Sequence, residues 1–175
     1  MEEQKKSRGE RFVEGILAFS ARDKGFAAKM SRSDNPDTEY LALGALCSLG
    51  VNVENDAERM PFAFVGAAIC RGRLAKDGGL PLGVALRKYY DDRKTDGSSW
   101  EDNPRLRRLL ACDRIQEVCL VLRQIFSLLQ AKSINVCYAR VLDDLLSFRF
   151  DNQRQRIKRH WASDFYATPN KASSD

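Results

Sequence analysis

Apolar residues recur three and four apart along most of this chain, the spacing that places them on one face of a helix. Residues 9–22 predict an amphipathic helix with Phe12, Ile16 and Phe19 inward and Val13 and Leu17 broadening that side. Gly25 breaks the pattern, and a short helix follows with Phe26 and Met30 inward, ended by Ser33-Asp34-Asn35-Pro36. Glu39 to Leu49 predicts another helix with Ala42, Ala45, Leu46 and Leu49 inward. Gly50 to Met60 reads as a polar connection, and Pro61 opens the next helix, carrying Phe62, Val65 and Ile69. Lys76-Asp77-Gly78-Gly79 is a turn between helices, and from Pro81 a further helix carries Leu82, Ala85, Leu86 and Tyr89.

A polar stretch, Asp91 to Ser99, separates these elements from a second set, and Trp100 is expected to pin it to the body. Asn103-Pro104 suits a helix start, with Leu106, Leu109 and Leu110 as its apolar side. Asp113 with Gln116 resembles a capping box. The helix it would open carries Ile115, Val118, Leu122, Ile125 and Leu129, widened by Leu120, Val121, Phe126 and Leu128, and reads as the central core helix. A helix from about Val136 to Phe148 points Tyr138, Val141, Leu142 and Leu145 inward, and the last one points Ile157, Trp161 and Phe165 inward. No run alternates in the manner of a strand. The expected fold is all-α, in two packed helical lobes divided near residue 95: 1–95 and a basic lobe 96–175.

Charge sharpens this picture. The 175 residues carry a net +5, but Pro104 to Asp175 hold thirteen Lys/Arg against seven Asp/Glu, so the positive excess lies in the C-terminal part. Arg105 and Arg108 with Arg107 flanking, then Arg123, then Arg156 and Arg159, lie away from the apolar stripes. Basic helical surfaces suit polyphosphate, and equally a solvated face. Lys29 and Arg32 stand three apart on the second helix; they read either as surface charge near Asp34 and Asp37 or as a phosphate clamp. Arg71, Arg73, Arg87 and Lys88 add basic residues that the sequence does not rank.

Candidate chemistry is sparse. The five cysteines are odd in number, show no C-x-x-C pair and stand in apolar neighbourhoods, so they read as reduced and buried. The sole histidine, His160, reads as a surface residue. Arg140 precedes Asp143 and Asp144 at ion-pairing distance along a helix. No nucleophile–base pair or metal-ligand spacing stands out, so no catalytic residue, metal or cofactor is expected. No apolar run reaches membrane-spanning length, and the N-terminus has no signal-peptide core, so a cytoplasmic protein is expected. Phe12, Phe62, Phe126, Trp161 and Phe165 sit on apolar stripes and read as core, which leaves arginine-to-phosphate contact as the mode of any nucleic-acid binding.

Several of these residues together resemble a known family. Arg105 to Arg114 ending Cys112-Asp113-Arg114, Leu122-Arg123, Tyr138-Ala139-Arg140-Val141-Leu142 and Trp161-Ala162-Ser163-Asp164-Phe165-Tyr166 resemble the CasB family, the small subunit of the type I-E CRISPR Cascade complex. Asp23-Lys24-Gly25 with Ala28 and Arg32 is similar to that family's D-x-G-x-x-A-x-x-x-R segment, and Leu82-Gly83-Val84-Ala85-Leu86 to its L-G-x-A-L helix. The resemblance implies a non-catalytic all-α subunit, present in two copies in an RNA-guided complex. Its partners would be CRISPR RNA, the target and displaced DNA strands, and the backbone-forming and large subunits. By matching position its nucleic-acid-binding residues would be Arg32, Arg105 and Arg123, with Arg114 in addition. A stand-alone helical DNA-binding regulator and a structural adaptor docking an acidic partner are the alternative readings.

Overall fold

The structure is a computed structural model that describes residues 5–91 and 103–167. Among them the chain forms α1 (Arg8–Arg22), α2 (Lys24–Met30), a 3-10 turn (Glu39–Ala42), α3 (Leu43–Ser48), α4 (Asp56–Arg71), α5 (Leu82–Asp91), α6 (Pro104–Ala111), α7 (Ile115–Ala131), α8 (Tyr138–Ser147) and α9 (Asp151–Tyr166). No strand is present among the described residues; Leu80 and Val136 form one isolated parallel bridge. The expected all-α fold is therefore observed. Trp100 and most of the polar stretch before it lie outside the described residues.

The central helix is α4. All ten residues from Pro61 to Cys70 are buried, and an element apolar on every side must be surrounded. It packs against α1, α2, α3, α7 and α8. This corrects two expectations. Pro61 does not open α4; the helix starts at Asp56, where the Asn55 side chain accepts from the Ala57 N–H and Asp56 and Glu58 occupy the first turn. That cap, with acidic residues at the positive helix end, outweighs the one backbone hydrogen bond that Pro61 forfeits. And α7 is not the central helix, since Leu120 is 60% exposed. Its stripe of Val118, Leu122, Ile125 and Leu129 is buried as expected.

Other positions depart from the simple period. Phe19 is 47% exposed and leans on Phe26 at 5.4 Å instead of entering the core. Cys47 is exposed at the end of α3, and Glu39 to Leu49 is split between the 3-10 turn and α3. Arg114, not Asp113, is the cap residue of α7, with no side-chain cap bond. The Asp113 carboxylate is instead engaged by Lys158 at 2.7 Å and Arg154 at 3.5 Å, which ties the α6–α7 junction to α9. By contrast α6 opens as expected, with Asn103 Oδ1 accepting from the N–H groups of Arg105 and Leu106 at 3.0 Å.

One apolar core spans helices from both sides of the 92–102 segment. α5 lies along α9, and α1 and α4 against α8. Gly83 explains how closely α5 and α9 approach: a Cβ there would overlap the Trp161 carbonyl oxygen and press the Asp164 Cβ at 2.7 Å. Asp77, in the turn before α5, holds the start of α8; its carboxylate accepts from the N–H groups of Tyr138 at 2.7 Å and Ala139 at 3.1 Å.

Neither Asp143 nor Asp144 forms the expected ion pair with Arg140. Asp143 accepts from the Gly9 N–H at 2.8 Å and Asp144 from Trp161 Nε1 at 2.9 Å. Both acceptors face neighbouring helices, so tertiary donors displace the local arginine. Burial pushes the Asp144 carboxyl up to about 6 from its ordinary 3.8, and the Trp161 N–H opposes that shift. A raised folded-state pKa means that the native state holds this proton longer than the unfolded chain. The group's contribution to stability is therefore fullest below about pH 4 and falls as pH rises through about 6. The loss is on the order of 2–3 kcal/mol. Asp144→Asn keeps an acceptor for Trp161 but does not titrate. In urea melts it should exceed the parent protein's stability at pH 7 and match it at pH 4; an equal gap at both values would sink this account.

Candidate nucleic-acid interface

The turn after α2 gathers basic side chains from two helices, α4 and α7, around one carboxylate. Ser33 anchors it: its buried hydroxyl lies 2.8 Å from the Met30 carbonyl oxygen and 2.7 Å from the Ala63 carbonyl oxygen of α4, its one proton shared between them. Thr38 Oγ1 closes the turn on the Arg32 carbonyl at 2.9 Å. Held in this way, the Asp34 side chain is only 5% exposed. Arg71, from the end of α4, grips it with both terminal nitrogens at 2.7 and 2.8 Å. Arg123, from the middle of α7, reaches it at 2.8 Å and also donates to the Asp34 carbonyl at 3.1 Å.

Two guanidinium groups thus share one carboxylate, which leaves one formal positive charge uncancelled. Both remain open to solvent, Arg71 at 38% and Arg123 at 46%. Arg32, two residues before Asp34, is exposed, and so is Lys29 on α2. A planar guanidinium oriented by a carboxylate on one edge presents its remaining N–H groups in a fixed direction, which suits phosphate oxygens. Sequence proximity suggests Asp34 as a local partner for Lys29 and Arg32. The structure instead gives Asp34 to Arg71 and Arg123, which stand 37 and 89 residues away.

The other candidate residues lie elsewhere. Arg105 is half-buried at the start of α6, where it donates to the Tyr90 hydroxyl at 2.7 Å. Tyr90 meets the Phe165 ring edge-on at 6.4 Å, so Arg105 sits where the ends of α5 and α9 come together. No hydrogen bond or ion pair among the described residues joins Arg105 to the Asp34 cluster. Arg107 and Arg108 are exposed on α6, and Arg114 is exposed at the cap of α7. Arg156 and Arg159 are exposed on α9, on the side away from Ile157, Trp161 and Phe165. The structure therefore brings Arg123 to the turn that follows Lys29 and contains Arg32, and leaves the remaining candidates on α6, α7 and α9. Arg71 is the member that sequence reasoning does not rank; its only signal is a basic residue at the end of an apolar helix.

The aromatic residues expected in the core are there: Phe12, Phe62, Phe126, Trp161 and Phe165 are all buried. Burial also pushes the thiols of Cys70 and Cys119 up, to about 11 and about 12, so both stay protonated at neutral pH. Among the described residues no group of three or more His, Cys, Asp or Glu is arranged to hold a metal ion. None of the described helices is long and apolar enough to cross a membrane.

Solved structures share the fold. A Cse2-family CRISPR-associated protein of Thermus thermophilus superposes with a TM-score of 0.71 at 22% identity, covering 93% of this chain and 100% of its own. CasB of M. ruber gives 0.70 at 22% identity, covering 93% and 94%. A chain of a CRISPR RNA-guided surveillance complex gives 0.65 at 16% identity, covering 90% of each. No curated protein sequence gives a significant match. The family model for CRISPR-associated protein Cse2 matches residues 10–166, which bears out the resemblance carried by the arginine and tryptophan motifs. The chain belongs to the CRISPR-associated Cse2 family.

Proposed function

We propose that this protein is a non-catalytic small subunit of a type I-E CRISPR RNA-guided complex, and that its basic residues hold nucleic-acid backbone and stabilise the R-loop. The observation that carries the reading is the Asp34 turn, where Arg71 and Arg123 outnumber their shared carboxylate beside the exposed Arg32. Family membership and the likeness to a chain of an RNA-guided surveillance complex support it. Its partners are then CRISPR RNA, the target and displaced DNA strands, the backbone-forming and large subunits, and a second copy of the chain, in the cytoplasm. In such complexes the guide reads sequence, and strand exchange is close to balanced in energy. A few phosphate contacts then suffice to move the equilibrium without reading a base.

Arg32, Arg105 and Arg123 are the residues to test, with Lys29, Arg107, Arg108, Arg114, Arg156 and Arg159 as secondary contributors. Replacing the first three with alanine in the assembled complex should weaken target DNA binding roughly tenfold or more. It should also lower the slope of log affinity against log salt by about 0.9 for each phosphate no longer neutralised. Far-ultraviolet circular dichroism should remain that of the parent. Unchanged affinity and slope with intact helicity would refute the assignment.

A further inference from the structure

A second feature lies beside the Asp34 turn but does not depend on it. α1, α2 and the end of α4 enclose a cleft of about 770 Å³, within the range of pockets that take a drug-sized ligand or a few side chains. Leu17, Ile69 and Leu74 form its apolar lining, and Lys24, Arg71 and Arg73 its polar part. Among the described residues no carboxylate lines it. Arg71 is already engaged by Asp34. Lys24 and Arg73 are exposed, and no hydrogen bond or ion pair of their side chains is formed among the described residues.

The backbone at Arg73 makes the arrangement more pointed. α4 ends in a Schellman closure, with the Arg73 N–H on the Cys70 carbonyl and the Leu74 N–H on the Ile69 carbonyl, each at 3.2 Å. The closing residue takes φ = +49°, a conformation that glycine adopts freely and an L side chain only at a cost. Gly72 stands one position too early to fill that role. An arginine is thus held in a disfavoured conformation at the edge of an apolar cleft. Helix ends need no arginine there, so the side chain is the feature that calls for an explanation.

We propose that this cleft docks a segment of a partner protein that inserts one or two aliphatic side chains flanked by carboxylates. Apolar walls suit the aliphatic groups, and Lys24 and Arg73 supply the opposite charge to the flanks. A nucleotide fits less well. The lining offers no aromatic ring for stacking, and its two serines already donate to backbone carbonyls, Ser20 to Leu17 and Ser31 to Ala28. The inference rests on the cleft alone and would survive failure of the phosphate-binding reading.

The test uses the full-length chain, isotopically labelled, with a short synthetic peptide of two leucines flanked by glutamates. The expected result is amide shifts confined to α1, α2 and the end of α4, with affinity about tenfold weaker when glutamine replaces the glutamates. Arg73→Gly should bind the peptide about tenfold more weakly while its melting temperature stays level or rises. Ala28→Trp, which fills the cleft from its rim, should abolish the shifts. The proposal is overturned by no shift in the cleft at millimolar peptide, or by equal binding of an all-glutamate peptide. It is likewise overturned if single-stranded DNA displaces the peptide from the same residues.

Discussion

Asp34→Ala is expected to loosen the protein and tighten its hold on polyphosphate at once. The carboxylate is buried and receives three charge-assisted hydrogen bonds of 2.7–2.8 Å from Arg71 and Arg123. Removing it loosens the α2 turn from α4 and α7, leaving the Ser33–Ala63 bond and the Arg123 bond to the backbone carbonyl of residue 34, and leaves two guanidinium groups without their shared counter-charge. Because both arginines are partly solvated, the cost is about 2–3 kcal/mol, below that of breaking a fully buried pair. The same change adds one positive charge to the surface that we assign to phosphate. Oligonucleotide affinity at low salt should therefore rise, and the salt slope should steepen by up to about one unit. Two measurements decide it, chemical denaturation of the free chain and oligonucleotide binding across a salt series. If Arg71 and Arg123 serve only to fix the turn, affinity should fall together with stability. Asp34→Asn, which keeps the shape, separates loss of charge from loss of packing.

Gly83→Ala is expected to destabilise the protein against its own helix propensity. Alanine is favoured over glycine inside a helix by about 1 kcal/mol, so any net loss must come from packing. At position 83 the added methyl has no room, because it meets the backbone of α9 at Trp161 and Phe165. Forcing the two helices apart should cost about 1–3 kcal/mol, occasionally more, before the propensity gain is subtracted. Gly83→Val should be worse, since it is larger and branched at Cβ. Gly44→Ala provides the control. It lies within α3 with nothing within 4 Å of its added Cβ, and should gain about 0.5–1 kcal/mol. The opposite signs at the two glycines, read by urea denaturation, are the prediction; a gain at Gly83 would show that α5 and α9 are less closely packed than described.

Local signals served well where they decided the outcome. Asn103 and Pro104 open α6, the Leu82, Ala85, Leu86 and Tyr89 stripe forms α5, and Ile157, Trp161 and Phe165 form the buried edge of α9. They mislead where a tertiary partner competes. Asp113 has the spacing of a cap, but Lys158 claims it; Asp143 and Asp144 have the spacing of partners for Arg140, but Gly9 and Trp161 supply donors. Period alone also mistakes Phe19 and Leu120 for core residues, because it cannot tell how wide a stripe the neighbouring helices cover. The candidate site is less legible still. Arg32 and Arg123 can be named from family motifs, but nothing local links a turn residue to an arginine 89 positions on. The role of Asp34 as an organiser of basic side chains is visible only once α2, α4 and α7 are packed.

The all-round burial of α4 bears on how the protein is made. Its last residue, Arg71, leaves the ribosome about 75 codons before the end of α8, and α7 also comes later. At ordinary translation rates of roughly 5–20 residues per second, that interval lasts about 4–15 s. Until α7 emerges, this apolar stretch has only α1 to α3 of its eventual neighbours to shelter it, and α8 completes the set last. Such a delay makes this stretch a natural client for chaperones that guard emerging polypeptides, and it favours expression at low temperature when the protein is produced in quantity.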